Sequence, residues 1–133
     1  MNAFIVELED KPGEVARVAE AIAQRGINIE GFAGATAGGS GSMILITNDE
    51  AGTRSALASI GCQAREAELT VASLAHQPGT LAELTRRLAD AGVNIQAAIP
   101  TGMDAGNVSV AFATDNPTKA REIIGERAAA PAM

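Results

Sequence analysis

Leu8-Glu-Asp-Lys-Pro-Gly-Glu-Val-Ala16 recurs 66 residues later as Leu74-Ala-His-Gln-Pro-Gly-Thr-Leu-Ala82. The same shift superimposes Gly26-Ile-Asn-Ile29 on Gly92-Val-Asn-Ile95 without a gap. Hydrophobic character is shared at Val15/Leu81, Val18/Leu84, Ile22/Leu88 and Ile27/Val93. Agreement of identities and of spacing marks a duplicated structural unit, so the chain divides into a first module over residues 1–67 and a second over 68–133.

Outward from the first Pro-Gly, Phe4, Val6 and Leu8 alternate with more polar residues, the period of a strand that buries one face. Beyond Gly13, Val15, Val18, Ala19, Ile22 and Ala23 recur at helical spacing, and Arg25-Gly26 supplies a cation followed by a stop. Residues 27–35 read as a second strand, Gly38-Gly-Ser-Gly41 as a hairpin loop, and 43–47 as a third, strongly apolar strand. Asn48 or Asp49 caps a helix that ends near Gly61, and residues 62–68 form a fourth strand.

The second copy repeats this order with strands at 69–75, 93–100 and 107–114 and helices at 80–91 and 117–126. Residues 127–133, Arg-Ala-Ala-Ala-Pro-Ala-Met, are too short and too small in side chains for a convincing last strand, which is expected to be weak or missing. The fold class is α+β: two tandem ferredoxin-like βαββαβ modules, each an antiparallel sheet with helices on one face.

Composition narrows the function. The 133 residues carry a net charge of −6 and no Trp or Tyr, which argues against nucleic acid: there is neither a basic stripe for phosphates nor an aromatic platform for bases. Cys62 is the one cysteine and His76 the one histidine, so neither a disulfide framework nor a His-based metal site can be assembled from one chain. No apolar run approaches the ~18–20 residues that span a bilayer, and Met1 to Leu8 does not read as a secretory leader; the expected location is cytoplasmic, away from membranes. Gly38-Gly-Ser-Gly41 lacks the Lys-Ser/Thr ending of a phosphate loop, Glu7 and Glu9 are the alternate polar residues of an open sheet, and no catalytic group or cofactor is expected.

The two turns are where binding chemistry is expected. Each lies between a strand end and a helix start, where unpaired N–H groups and the helix dipole favour an anion such as a carboxylate. Pro12 and Pro78 stiffen the entry, and Gly13 and Gly79 let the backbone turn sharply and a ligand approach. Asn28 and Asn94 are expected beside these turns at the start of the next strand. Their amides suit a zwitterion, or alternatively only finish the helix-to-strand turn. His76 reads equally as a ligand contact or as an exposed loop residue. Ser42 is a possible border of a ligand.

Asp10-Lys-Pro-Gly13 followed by Gly26-Ile-Asn-Ile29, with its echo in the second half, resembles the ACT domain, a regulatory module of amino-acid metabolism. The resemblance implies the same fold, pairing into a homodimer, and an amino-acid effector held near the turns and at the interfaces where modules meet edge to edge. It points to Gly13, Asn28, Gly79 and Asn94 as ligand contacts, with Ile29 and Ile95 beside the asparagines. Lys11, Pro12, Glu14, Val15, His76, Gln77, Pro78, Thr80 and Leu81 would line the turns. The implied role is a non-catalytic sensor of a free amino acid acting on a metabolic enzyme or transporter. Alternatives are a regulatory subunit like the small subunits of acetolactate synthase, whose ACT region resembles Gln24-Arg-Gly-Ile-Asn-Ile-Glu-Gly31, or a ligand-free association module.

Overall fold

The computed structural model describes residues 1–129. Its elements are β1 (Asn2–Glu9), α1 (Glu14–Ala23), β2 (Ile29–Ala37), β3 (Ser40–Thr47), α2 (Glu50–Ser59), β4 (Ala64–Ala75), α3 (Thr80–Asp90), β5 (Ile95–Asp104), β6 (Asn107–Thr114) and α4 (Pro117–Ala129). The chain forms two compact units, Met1–Ala67 and Glu68–Met133. Residues 62–68 and 69–75, read from sequence as two strands, form one unbroken strand from Ala64. Nothing in Glu66-Ala-Glu68 stops an extended backbone, and the buried positions change phase between Leu69 and Thr70.

In the first unit the strand order is β2-β3-β1-β4, the ferredoxin-like arrangement. β1 and β3 pair antiparallel with Phe4 opposite Leu45 and Val6 opposite Met43, and these four side chains are buried on the helix-facing side. Val18 and Ile22, one helical turn apart on α1, meet them together with Ile27, Ala56 and Leu57. α2 begins where Asp49 accepts from the Gly52 N–H at 2.9 Å, and a buried Thr47–Thr53 hydroxyl pair at 2.7 Å fixes it to the end of β3.

In the second unit β6 lies between β4 and β5. Leu74, Phe112, Leu84, Leu88, Val93 and Ile123 form its core. The weak or missing last strand concerned 127–133. The helix over Pro117–Ala129 covers the first three of these positions, and the remainder lies outside the described residues.

Both hairpins are tighter than the sequence indicates. β2 and β3 are joined by Gly38-Gly39 alone (φ 62° and 87°), and β5 and β6 by Ala105-Gly106 (φ 49° and 81°). Two successive positive φ values give the turn whose twist matches that of the strands it joins, so pairing continues to the tip.

Candidate functional site

The first turn is built around Gly13. It immediately precedes α1 at φ 90°, and a Cβ there would meet nothing within 4 Å, so backbone conformation rather than crowding calls for glycine. Lys11 N–H donates to Glu9 O (3.1 Å), and the first helical bond runs from Arg17 N–H to Gly13 O (2.9 Å). Glu14, expected to line an open turn, folds back and is only 8% exposed. Its carboxylate accepts from the Glu9 N–H (3.2 Å) and from Arg17 Nε (3.2 Å), while Arg17 Nη1 donates to Ile60 O (2.9 Å). The Arg17 guanidinium, and then the Glu9 N–H, hold the Glu14 carboxyl below the usual carboxylate range. The Lys11 ammonium sits 2.8 Å from the Glu9 carboxylate, which raises its pKa.

The second turn repeats the backbone with other chemistry. Gly79 has φ 91°, Gln77 N–H donates to Ala75 O (2.8 Å), and Glu83 N–H donates to Gly79 O (2.9 Å). Thr80 stands where Glu14 stands, and its hydroxyl donates to Ala75 O (2.7 Å) and approaches Gln77 O (3.2 Å). His76, Gln77, Pro78, Gly79 and Leu81 are exposed.

Asn28 and Asn94 do not join these turns within their own units. Ile29 pairs with Thr47, while Glu9 pairs with Ser40, seven residues along β3. At ~3.3 Å per residue Asn28 therefore lies roughly 20 Å from the end of the sheet that carries Pro12-Gly13. Asn94 and Gly79 are separated in the same way, since Ile95 pairs with Thr114 and Ala75 with Asn107. A helix carries the chain back along the strand it follows, so a residue after the helix returns to the strand's start. The backbone of Asn28 exchanges hydrogen bonds with Asn48: its N–H donates to Asn48 Oδ1 (3.1 Å) and its carbonyl accepts from Asn48 N–H (3.2 Å). Asn94 does the same with Asp115 (2.9 and 3.1 Å), and both asparagines are exposed.

What accompanies the first turn instead is the far half of β2. A groove of about 290 Å³ runs between the turn and β2. Glu9, Asp10, Lys11, Glu14 and Val15 form one side, Phe32, Gly34, Ala35 and Thr36 the other, with Leu8, Ser42 and Met43 completing it. Ser42 thus borders the groove as part of β3 rather than of a loop.

Phe32 reaches this face through a bulge. Ile29 pairs with Thr47 but Gly31 pairs with Ile46, so Glu30 is an extra residue and Phe32 comes opposite the core residue Leu45. On an edge strand it remains 62% exposed, and Val15 across the groove is 50% exposed. Sequence reading overlooked Phe32. The available signal was a large aromatic in an otherwise Gly/Ala-rich strand, but strict alternation from Ile29 assigns it to the opposite face.

A second cavity of about 490 Å³ borders the same turn and is lined more by charged and polar groups, among them Glu7, Arg17, Gln63 and the half-buried Cys62. The smaller groove is the better candidate for holding a small metabolite, because apolar walls with a few convergent polar groups are what such sites present. Among the described residues no three His, Cys, Asp or Glu side chains could share a metal ion, and no helix is long and apolar enough to cross a membrane.

Comparison with known proteins agrees with the architecture. Residues 3–61 match the ACT domain model. That stretch falls inside the first unit. No curated protein matches the sequence. Among solved structures, a protein from Bacteroides thetaiotaomicron is 23% identical with a TM-score of 0.79, over 96% of this chain and 88% of that one. The regulatory subunit of aspartate kinase from Thermus thermophilus, in ligand-free form, is 21% identical with a TM-score of 0.64, over 94% of this chain and 89% of that one. Its counterpart from Thermus flavus is 22% identical with a TM-score of 0.62, over 94% and 91%. At these identities the likeness is one of fold.

Proposed function

We propose that the protein is a non-catalytic amino-acid sensor that holds a free amino acid in the groove between the first Pro-Gly turn and β2. The observation that carries this reading is the coincidence of that groove with the one region that matches the ACT domain model. Its two ends suit a zwitterion: Glu9, Asp10 and Lys11 supply both signs of charge at the turn, and Leu8, Val15, Phe32 and Met43 supply apolar surface beyond it. The Lys11–Glu9 pair is exposed and therefore weak, so a ligand carboxylate can compete for the ammonium. Binding acts as a signal because a ligand that prefers one conformation or assembly shifts the population toward it. The signal would pass to an enzyme or transporter of amino-acid metabolism, and the protein would work as a homodimer in the cytoplasm.

The test is thermal unfolding followed by circular dichroism, since Trp and Tyr are absent, with each of the twenty amino acids in turn. One chemical class should raise the transition, by about 2.7 kcal/mol at one hundred times its dissociation constant. Val15→Asp, on the exposed groove wall, should abolish the effect. Absence of any shift with all twenty would overturn the sensor reading. A second reading, a regulatory subunit of an amino-acid biosynthetic enzyme, draws support from the aspartate kinase regulatory subunits that share the fold. Co-purification of an enzyme with the tagged chain would favour it.

A further inference from the structure

We infer that the groove selects an amino acid with an uncharged aliphatic side chain, of the size of valine, leucine, isoleucine or methionine, and that Phe32 is its specificity-determining wall. This inference rests on the sensor reading above and adds the ligand class.

Size sets the first bound. About 290 Å³ lies at the small end of the ~300–1,000 Å³ typical of small-molecule sites, so a single amino acid fits and a dinucleotide does not. Charge sets the second. Every charged residue of the groove, Glu9, Asp10, Lys11 and Glu14, belongs to the end of β1, to the turn or to the helix start that follows it, and the β2 and β3 walls contribute none. The α-ammonium and α-carboxylate therefore belong at the turn, which leaves the ligand side chain along Phe32, Gly34 and Met43. A charged side chain placed there would lose its water with no partner to replace it.

Exposure points the same way. Phe32 and Val15 face each other across the groove with half or more of their surface in water. An aliphatic group between them covers both, and Gly34, where a Cβ would come within 3.2 Å of the Ser42 carbonyl oxygen, adds no side chain to the wall. The second unit lacks this wall: Ala98 takes the place of Phe32, opposite Phe112, and Pro100 takes the place of Gly34. Selectivity therefore resides in the first unit.

The experiment is calorimetric titration of the full chain with valine, leucine, isoleucine, methionine, serine, lysine and aspartate, repeated on Phe32→Ala and Ala98→Ser. Phe32 is exposed, so its truncation leaves the core intact, and circular dichroism checks this. The expected result is binding of the aliphatic members at least tenfold tighter than serine, lysine or aspartate. Phe32→Ala should weaken them at least tenfold, and Ala98→Ser should leave them unchanged. Tighter binding of serine, lysine or aspartate, or equal binding of all seven, overturns the inference while the sensor reading stands. Aliphatic binding indifferent to Phe32→Ala overturns the role of Phe32. Silence from all seven overturns the inference, and the twenty-member thermal panel then decides whether the sensor reading falls with it.

Discussion

At the first turn the N–H of Glu9 donates to the Glu14 carboxylate, whereas at the second the carbonyl of Ala75 accepts from the Thr80 hydroxyl. The backbones match: Gly13 and Gly79 share φ near 90°, and each accepts the first helical hydrogen bond. Pro-Gly thus sets the shape of the turn, and the residue after it sets the electrostatics. The first turn carries its own anion at the positive end of α1, tied to Arg17, while the second presents a neutral hydroxyl at the start of α3. The two turns share a backbone and differ through side chains that scarcely alter it.

The largest expected effect tests whether the two scaffolds are energetically alike. Ile22 and Leu88 are equivalent and fully buried, so Ile22→Ala and Leu88→Ala should each cost about 2–5 kcal/mol in urea unfolding. A much smaller loss at Leu88 would show that the second unit contributes little to the measured transition. Gly13→Ala and Gly79→Ala come next, at about 1 kcal/mol each, because both force a side chain into a left-handed conformation with no neighbour to clash against. Unequal losses there would break the equivalence of the turns.

Among the matched core positions, Phe4 in the first unit corresponds to a polar residue, Thr70, in the second. The Thr70 hydroxyl is buried without a hydrogen-bond partner. Thr70→Val should therefore stabilise the protein by roughly 1 kcal/mol, since it removes a desolvated polar atom at nearly constant shape. Destabilisation measured by urea unfolding would mean that the hydroxyl has a partner in solution.

The smallest effect separates the turns by pH. The Glu14 carboxyl titrates below its ordinary range when folded, so its contribution is complete above that range and is lost as pH falls through the folded value. Glu14→Gln should flatten the acid limb of the stability curve, whereas Thr80→Val should lower stability without changing its slope. An unaltered acid limb in Glu14→Gln would show that the carboxylate is not held by Arg17 and the Glu9 N–H in solution.

Much of the fold was legible because it is written locally. Alternation at Phe4, Val6 and Leu8 and helical spacing at Val18 and Ile22 follow from which face each residue buries, and β6 occupies the residues, 107–114, that its pattern indicates. The candidate site was half legible. Lys11, Glu14 and Val15 border the groove from the turn, and Phe32, Thr36 and Met43 reach it only through strand pairing. Asn28 follows the turn closely in sequence, but within its unit the intervening helix returns the chain to the opposite end of the sheet.

By itself the sequence determined the repeat, the kinds of element, and the glycines the turns require, since periodicity and permitted φ are properties of a few adjacent residues. Tertiary structure alone decided that β4 runs unbroken, that Glu14 turns back on the strand before it, and that a bulge at Glu30 brings Phe32 to the helix-covered face. The last of these depends on the register of β2 against β3. A shift of one residue moves a side chain from one face of a sheet to the other, and no local pattern records that shift.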